Sequence, residues 1–412
     1  YSKKIAYCKY SLIYLITCLF LAYTMALQVS PGVMSRELLH DLHMNAHHLG
    51  LLSAFFFYAY TAMQIPAGVI YDRFSTRYTT AGALLLCIIG TMIFSHYRVF
   101  LINGLGRLLM GLGSAFSFIA VLTVAAYHFP KRYYPIFYGI TQTVAAAGAA
   151  FGLTPLAHMI HQSTWHHALL YFCYFAGILL IANLLFMTDD MENKNSKTTG
   201  NPIWKQLKQI ISKPINLWFA LFSFCNWGPM IIFSGLWGVP FFTQVYHLPV
   251  HLAASLVTCT WVGVMIGGVT ISSIASYWNR TLPLLKIASL LGVMTSSILL
   301  SVHIDSYILL CALTICFGIA CCGQILIFPM AKEKNDPLYT STLIGFINMA
   351  VVAGGIILQP LVGFLLTVLS HHSNLAGQIN IYSATNFQHA LYIIPICFLI
   401  NLYISFYRIK LN

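Results

Sequence analysis

Charge is what this sequence of 412 residues lacks: only 7% of positions are Asp, Glu, Lys or Arg. A water-soluble domain carries about 25%, so the chain has too few charges to solvate a globular surface. Acids are the scarcest. There are nine, Glu37, Asp41, Asp72, Asp189, Asp190, Glu192, Asp305, Glu333 and Asp336, and all fall in loops or at the ends of apolar runs. No pair of carboxylates is therefore available inside a run for acid–base work. No His-x-x-x-His with a Glu, nucleophile elbow or phosphate-cradling glycine loop is present. An enzyme is not expected, nor a cofactor. The eleven cysteines have no C-x-x-C or zinc-ligand spacing, and all except Cys8 lie inside apolar runs. There they read as small hydrophobes, so no metal site, disulfide framework or redox role is expected.

What is abundant is apolar sequence. Hydrophobic residues make up 59% of the chain, and mean hydropathy is +0.78. A bilayer core about 30 Å thick needs about 20 apolar residues per helix. Cutting at polar and Pro/Gly clusters gives twelve runs, near 10–34, 49–71, 77–96, 99–126, 134–159, 168–187, 215–242, 252–275, 282–302, 306–330, 338–368 and 387–407. They are continuous and lack the ten-residue alternation of a membrane barrel. The expected fold is an all-α membrane protein in contact with the lipid bilayer. The first run follows Lys3, Lys4 and Lys9 and reads as an uncleaved first helix. The sequence begins at Tyr1 rather than Met, so a short stretch is expected to precede it.

The formal charge of +12 could suggest nucleic acid, but its distribution argues against that. With the N-terminus placed in the cytoplasm, only Arg36 and Arg98 lie on the opposite side and Arg107 lies within a run. The other eighteen of the 21 Lys and Arg are cytoplasmic. This is the asymmetry that orients membrane proteins, and it predicts both termini inside. Residues 188–214 form the one long cytoplasmic connection, polar and then basic and amphipathic. From Trp204 to Ile211 this segment could lie on the membrane surface or serve as a plain linker helix. It divides the chain into a six-helix bundle over 1–187, a linker over 188–214 and a second six-helix bundle over 215–412.

The two halves look duplicated. Gly139, Gln142 and Gly148 recur 206 residues later as Gly345, Asn348 and Gly354. Gly32-Val33 and Gly238-Val239 are also 206 apart, Pro155-Leu156 and Pro360-Leu361 are 205 apart, and His43 and His247 are 204 apart. Repeats of this kind build carriers that rock around a central site.

After the second run stands Gly68-Val69-Ile70-Tyr71-Asp72-Arg73-Phe74-Ser75-Thr76-Arg77. It resembles the signature loop of the major facilitator superfamily, Gly-x-x-x-Asp-Arg-x-Gly-Arg-Arg, with Gly68, Asp72, Arg73 and Arg77 in matching places and Ser75 and Thr76 departing. Gly68 and Asp72 share a helix face. The resemblance implies that this face latches onto the eleventh span in the outward-facing state, and the missing basic residue implies a weaker latch. Arg107-x-x-x-Gly111-x-Gly113-x-Ala115 in the fourth run is similar to a second family motif. Together the motifs imply two pseudosymmetric bundles of six helices in the bacterial inner membrane. They also imply alternating access. The stretch 32–74 and the seventh-span segment Ser234-Gly235-Leu236-Trp237-Gly238-Val239-Pro240-Phe241 look like those of a bacterial branch that includes phagosomal nutrient transporters and siderophore carriers.

Arg107 is a cation near mid-membrane, where it is costly unless it is partnered or faces a wet cavity. Backbone carbonyls, Gln28, Asn103 or an anionic substrate group could each serve it. Polar and aromatic residues at similar depth give the candidate substrate set: Gln28, Tyr58, Arg107, Gln142, Asn226, Trp227, Trp261 and Asn348. Each of these could instead make a helix–helix hydrogen bond or face lipid. Trp237 lies nearer the outer end and reads as a gate or an interfacial anchor. The expected activity is secondary transport, by a monomer, of an amino acid, nucleoside or organic anion, as uptake. Transport of a carboxylate siderophore, or efflux by the same fold, is the alternative. Without a carboxylate inside a span, proton symport would depend on Glu37 or on His40, His43, His47 and His48, a cluster that also reads as solvated.

Overall fold

The computed structural model describes residues 2–129, 134–187, 203–278, 280–336, 340–370 and 382–409. Among them every regular element is helical, as required where each backbone N–H and C=O needs an internal partner. Eleven helices are long and apolar enough to cross a membrane. The expected second span is divided into Ala46–Ala62 and Gln64–Arg73. Met63 N donates to Ala59 O and Ala67 N to Met63 O, so the rod continues through the break and completes the twelve. The protein is an all-α, multi-pass membrane protein.

The interruptions share one cause. Proline has no N–H for the carbonyl four residues before it. Pro66 deprives Ala62, beside the break at Met63. Pro155 deprives Phe151, where the fifth span passes from Tyr134–Phe151 to Thr154–Gln162. Pro395 deprives Leu391, where Ala384–Leu391 gives way to Ile393–Tyr403 in the twelfth.

In the tenth span, Pro329 deprives Ile325, within a 3-10 turn Cys322–Leu326 between Tyr307–Cys321 and Ile327–Glu333. In the seventh, Pro240 deprives Leu236, within a π-helical turn Phe233–Trp237 between Pro214–Ile232 and Gly238–Val245. Wide turns of this kind concentrate at functional sites.

The chain forms two compact units, and they do not follow the borders 1–187 and 215–412 expected from chain order. One comprises Tyr1–Ser30 and Phe55–Thr199, the other Pro31–Ala54 and Gly200–Asn412. The loop between the first two spans, with the helix ends that carry it, thus belongs to the second unit. So does the amphipathic helix Ile203–Ile211. Its Ile210 is buried in a cluster with Phe219, Leu343 and Ile347, and Gln206 Oε1 accepts from Thr342 Oγ1 at 2.6 Å. Lys205 and Lys208 remain exposed on its other face.

The internal repeat has a packing counterpart. In the first unit Gly148 lies so close to the backbone of Ala22 that a side chain there would overlap it. In the second, a methyl group added at Gly354 would lie 2.7 Å from Gly228 Cα. Both partners of the second contact are 206 residues beyond those of the first. The fifth span therefore seats on the first as the eleventh seats on the seventh. His43 and His247 match as well, both in the left-handed region at φ 47° and 52°.

Candidate functional site

In the first unit Arg107 is borne by the fourth span, Phe100–His128, and is 0% exposed. Its Nη1 donates to Leu27 O at 2.9 Å and its Nη2 approaches Gln28 O at 3.5 Å. Pro31 lies inside the first span, Ser2–Val33, so Leu27 O lacks its usual main-chain donor four residues on and accepts from Ser30 Oγ at 2.9 Å instead. The guanidinium is a second donor to the same carbonyl. It lies 4.9 Å from the Phe56 ring centroid and 5.9 Å from that of Phe94, which stabilises a cation held away from water. Of the partners expected for Arg107, the main-chain carbonyls take it. Gln28 contributes its carbonyl, and both amide atoms of the buried Asn103 stay unpaired. The arrangement fastens the fourth span to the first.

The other candidates in this unit lie nearer the surface. Tyr58 is 37% exposed, and Gln142 on the fifth span is exposed. An amide exposed at mid-span is poorly tolerated by lipid tails, so the face bearing Gln142 is suited to water or solute.

In the second unit Asn226 is fully buried. Its Oδ1 accepts from Gln324 N at 2.8 Å and its Nδ2 donates to Ala320 O at 3.3 Å. Its side chain thus caps the 3-10 turn of the tenth span. Trp227, next to it, is half-buried and makes an edge-to-face pair with Trp261, centroids 6.3 Å apart. Trp261, on the eighth span Val250–Trp278, is 4% exposed and its Nε1 has no partner. Gln324 is 9% exposed and its Oε1 is likewise unpaired. The eighth and tenth spans touch nearby, where Cys322 Sγ donates to Val264 O at 3.4 Å. Asn348, the repeat partner of Gln142, is half-buried.

Trp237 is 1% exposed and therefore no interfacial anchor. Its Nε1 donates to Gln359 O at 3.2 Å, and Gln359 Nε2 donates to Ile231 O at 3.0 Å. Gln324 and Gln359 are absent from the set drawn from sequence. Their signal was a lone Gln within six residues of a mid-span proline, Pro329 and Pro360.

The expected latch residues are dispersed. Gly68 has no described atom within 4 Å of where a side chain would begin, so no neighbouring helix presses on it here. The side chains of Asp72 and Arg73 lie outside the described residues. Arg77 Nη2 donates to Leu184 O, and Arg77 O accepts from Asn183 Nδ2 at 2.9 Å, which ties the third span to the sixth. Among the described residues no group of three His, Cys, Asp or Glu is placed to hold a metal ion.

In the second unit, a donor and an acceptor without protein partners beside an aromatic pair can bind a small polar molecule and can do little chemistry on it. The sequence pattern of the Major Facilitator Superfamily matches residues 15–360. The chain is 23% identical over 366 residues to the transporter YybO of Bacillus subtilis (strain 168), covering 83% of this chain and 84% of that protein. It is 24% identical over 353 residues to the L-fucose-proton symporter of Escherichia coli (strain K12), covering 77% and 78%. The crystal structure of the nucleoside transporter NupG superposes with a TM-score of 0.78 at 13% identity, covering 98% of this chain and 100% of that one.

Proposed function

As the chain belongs to the Major Facilitator Superfamily, we propose that it is a secondary transporter for uptake of a small, neutral, ring-bearing polar solute across the bacterial inner membrane. The family makes it a membrane transporter rather than an enzyme. Trp261 carries the reading for the solute. A buried indole N–H without a partner costs about 1–3 kcal/mol, and a solute acceptor would relieve it. Gln324 Oε1 would take a hydroxyl or N–H of the same solute, and Trp227 and Trp261 would flank its ring.

Arg107 already has main-chain partners, which favours a neutral solute over an organic anion or siderophore. The relatives named for a nucleoside and for L-fucose, both hydroxylated ring compounds, agree with that class. Proton symport is the coupling we propose, as in the name of the fucose relative, with Glu37 as the titrating group. Its Oε2 is buried without a partner. Burial raises its pKa, and a hydrogen bond from its own backbone and the neighbouring Arg36 only partly offset this. Gly68, Asp72, Arg73 and Arg77 would form the latch of another conformation. The protein would act as a monomer, with both termini cytoplasmic.

A thermal-stabilisation screen of the purified protein against nucleosides, sugars, amino acids, organic acids and ferric siderophores tests the solute class. A shift confined to nucleosides or sugars supports it. A shift confined to carboxylates or siderophores contradicts it.

A further inference from the structure

The end of the first span rests on the π-helical turn of the seventh, and the second span rests beside it on the eleventh. A methyl group added at Gly32, at the end of the first span, would lie 3.1 Å from Leu236 O, the carbonyl that Pro240 deprives of its donor. One added at Gly50, in the second span, would lie 2.6 Å from Gln359 O and 2.9 Å from Pro360 Cα. The same end is tied elsewhere: Ala46 N donates to Tyr382 Oη at 2.8 Å and His47 N to Thr367 Oγ1 at 3.3 Å.

Gln359 sits at the centre of these contacts. It is 0% exposed. Its Nε2 reaches Ile231 O past Gly235, where an added methyl group would lie 3.0 Å from that nitrogen. Its main-chain carbonyl both receives Trp237 Nε1 and forms the seat of Gly50. One residue thus sets the shape of the wide turn, fixes the indole beside it and contacts the second span.

We propose that Gln359 is the positioning residue of a reversible outer closure, holding the π-helical turn of the seventh span in the form on which the end of the first span seats and offering its own carbonyl as the seat of the second. Reversibility follows from the contact chemistry. Glycine lies on backbone with little side-chain interdigitation, so the surfaces separate without repacking a core. Gln359 Oε1 is buried and unpaired, a standing penalty that water relieves when the seat parts. The closure therefore holds by a small margin, as a gate that must cycle requires. This inference rests on the transporter reading but not on any choice of solute.

The test is maleimide labelling of purified protein carrying Val33→Cys, a buried position beside Gly32, with Cys321 and Cys322, both 0% exposed, as reporters of general loosening. Gly50→Val, which collides with the seat, sets the rate of the open form. Gln359→Asn, one methylene too short to reach Ile231 O, is expected to raise Val33→Cys labelling about tenfold and to leave Cys321 and Cys322 unlabelled. If that variant does not fold, Trp237→Phe removes the other hydrogen bond and is expected to raise labelling several-fold. Unchanged Val33→Cys labelling in the folded variant overturns the proposal. So does a parallel rise at Cys321 and Cys322, which would make Gln359 a general strut. No solute is needed, so a wrong solute class leaves the result intact.

Discussion

Arg107 Nη1 donates to Leu27 O at 2.9 Å, and Leu27 O is the carbonyl that Pro31, four residues further along the first span, cannot serve. A proline and an arginine on different helices thus act as one unit. The buried cation and Ser30 Oγ share the carbonyl that the imide leaves without a main-chain donor. Ser30 Oγ still serves Leu27 O in Arg107→Gln, so the variant should destabilise the protein by about 1.5–3 kcal/mol, the scale of one hydrogen bond from a charged group. Pro31→Ala restores an N–H to Leu27 O and should recover about 1 kcal/mol of that loss. Melting temperatures of the two single variants and the double variant close the cycle. Additive effects would break the link between the two residues.

Glu37 lies on the short helix Ser35–Asp41, outside the spans, and burial raises its pKa from the usual 4.5. For a raised carboxyl, stability is fully present below the unfolded value and is lost as pH climbs through the folded one. The protein should therefore lose stability upward from about pH 4.5 through this group. Glu37→Gln should flatten that part of the profile and be the more stable form at neutral pH. Thermal melts across pH check this, and coincident profiles would contradict it.

Gly148 and Gly354 press on backbone in equivalent places, whereas Gly68 meets no described atom. Gly148→Val and Gly354→Val should each cost about 1–3 kcal/mol of stability by overpacking. Gly68→Ala should stay within about 0.5 kcal/mol of wild type in the same melts. A comparable loss at all three positions would remove the distinction.

Trp261→Phe keeps a ring and removes only the unpaired N–H. Solute affinity should fall about 3- to 10-fold, the equivalent of one hydrogen bond. Gln324→Leu should do likewise, while apo stability holds or rises because a buried orphan disappears. Isothermal titration with a solute found by screening reads both.

Much of this was legible in the sequence. Run lengths gave the spans, and the 206-residue offset of Gly148 and Gly354 foretold a contact made twice. The helix breaks were legible in principle, because Pro66, Pro155, Pro240, Pro329 and Pro395 each mark a carbonyl four residues upstream. What was not legible depends on tertiary neighbours. Arg107 could be placed at depth, but its acceptor follows from the first span lying beside the fourth. Asn226 looked like a ligand for solute until its amide was found capping the turn at Gln324. Gln359 sits within an apolar run of the eleventh span, and only its bond to Ile231 distinguishes it from any buried amide. The compact units were hidden too, since Pro31–Ala54 packs with residues more than 150 positions away.

The central claim is tested most directly by flux in proteoliposomes carrying the purified protein. With a radiolabelled nucleoside or sugar outside and the same solute inside, the protein should exchange label, and an inward proton gradient should drive accumulation above equilibrium. Trp261→Phe should lower the apparent affinity of that flux. Folded, monodisperse protein that moves none of the ring-bearing neutral solutes, yet carries an organic anion or a siderophore, would contradict the account.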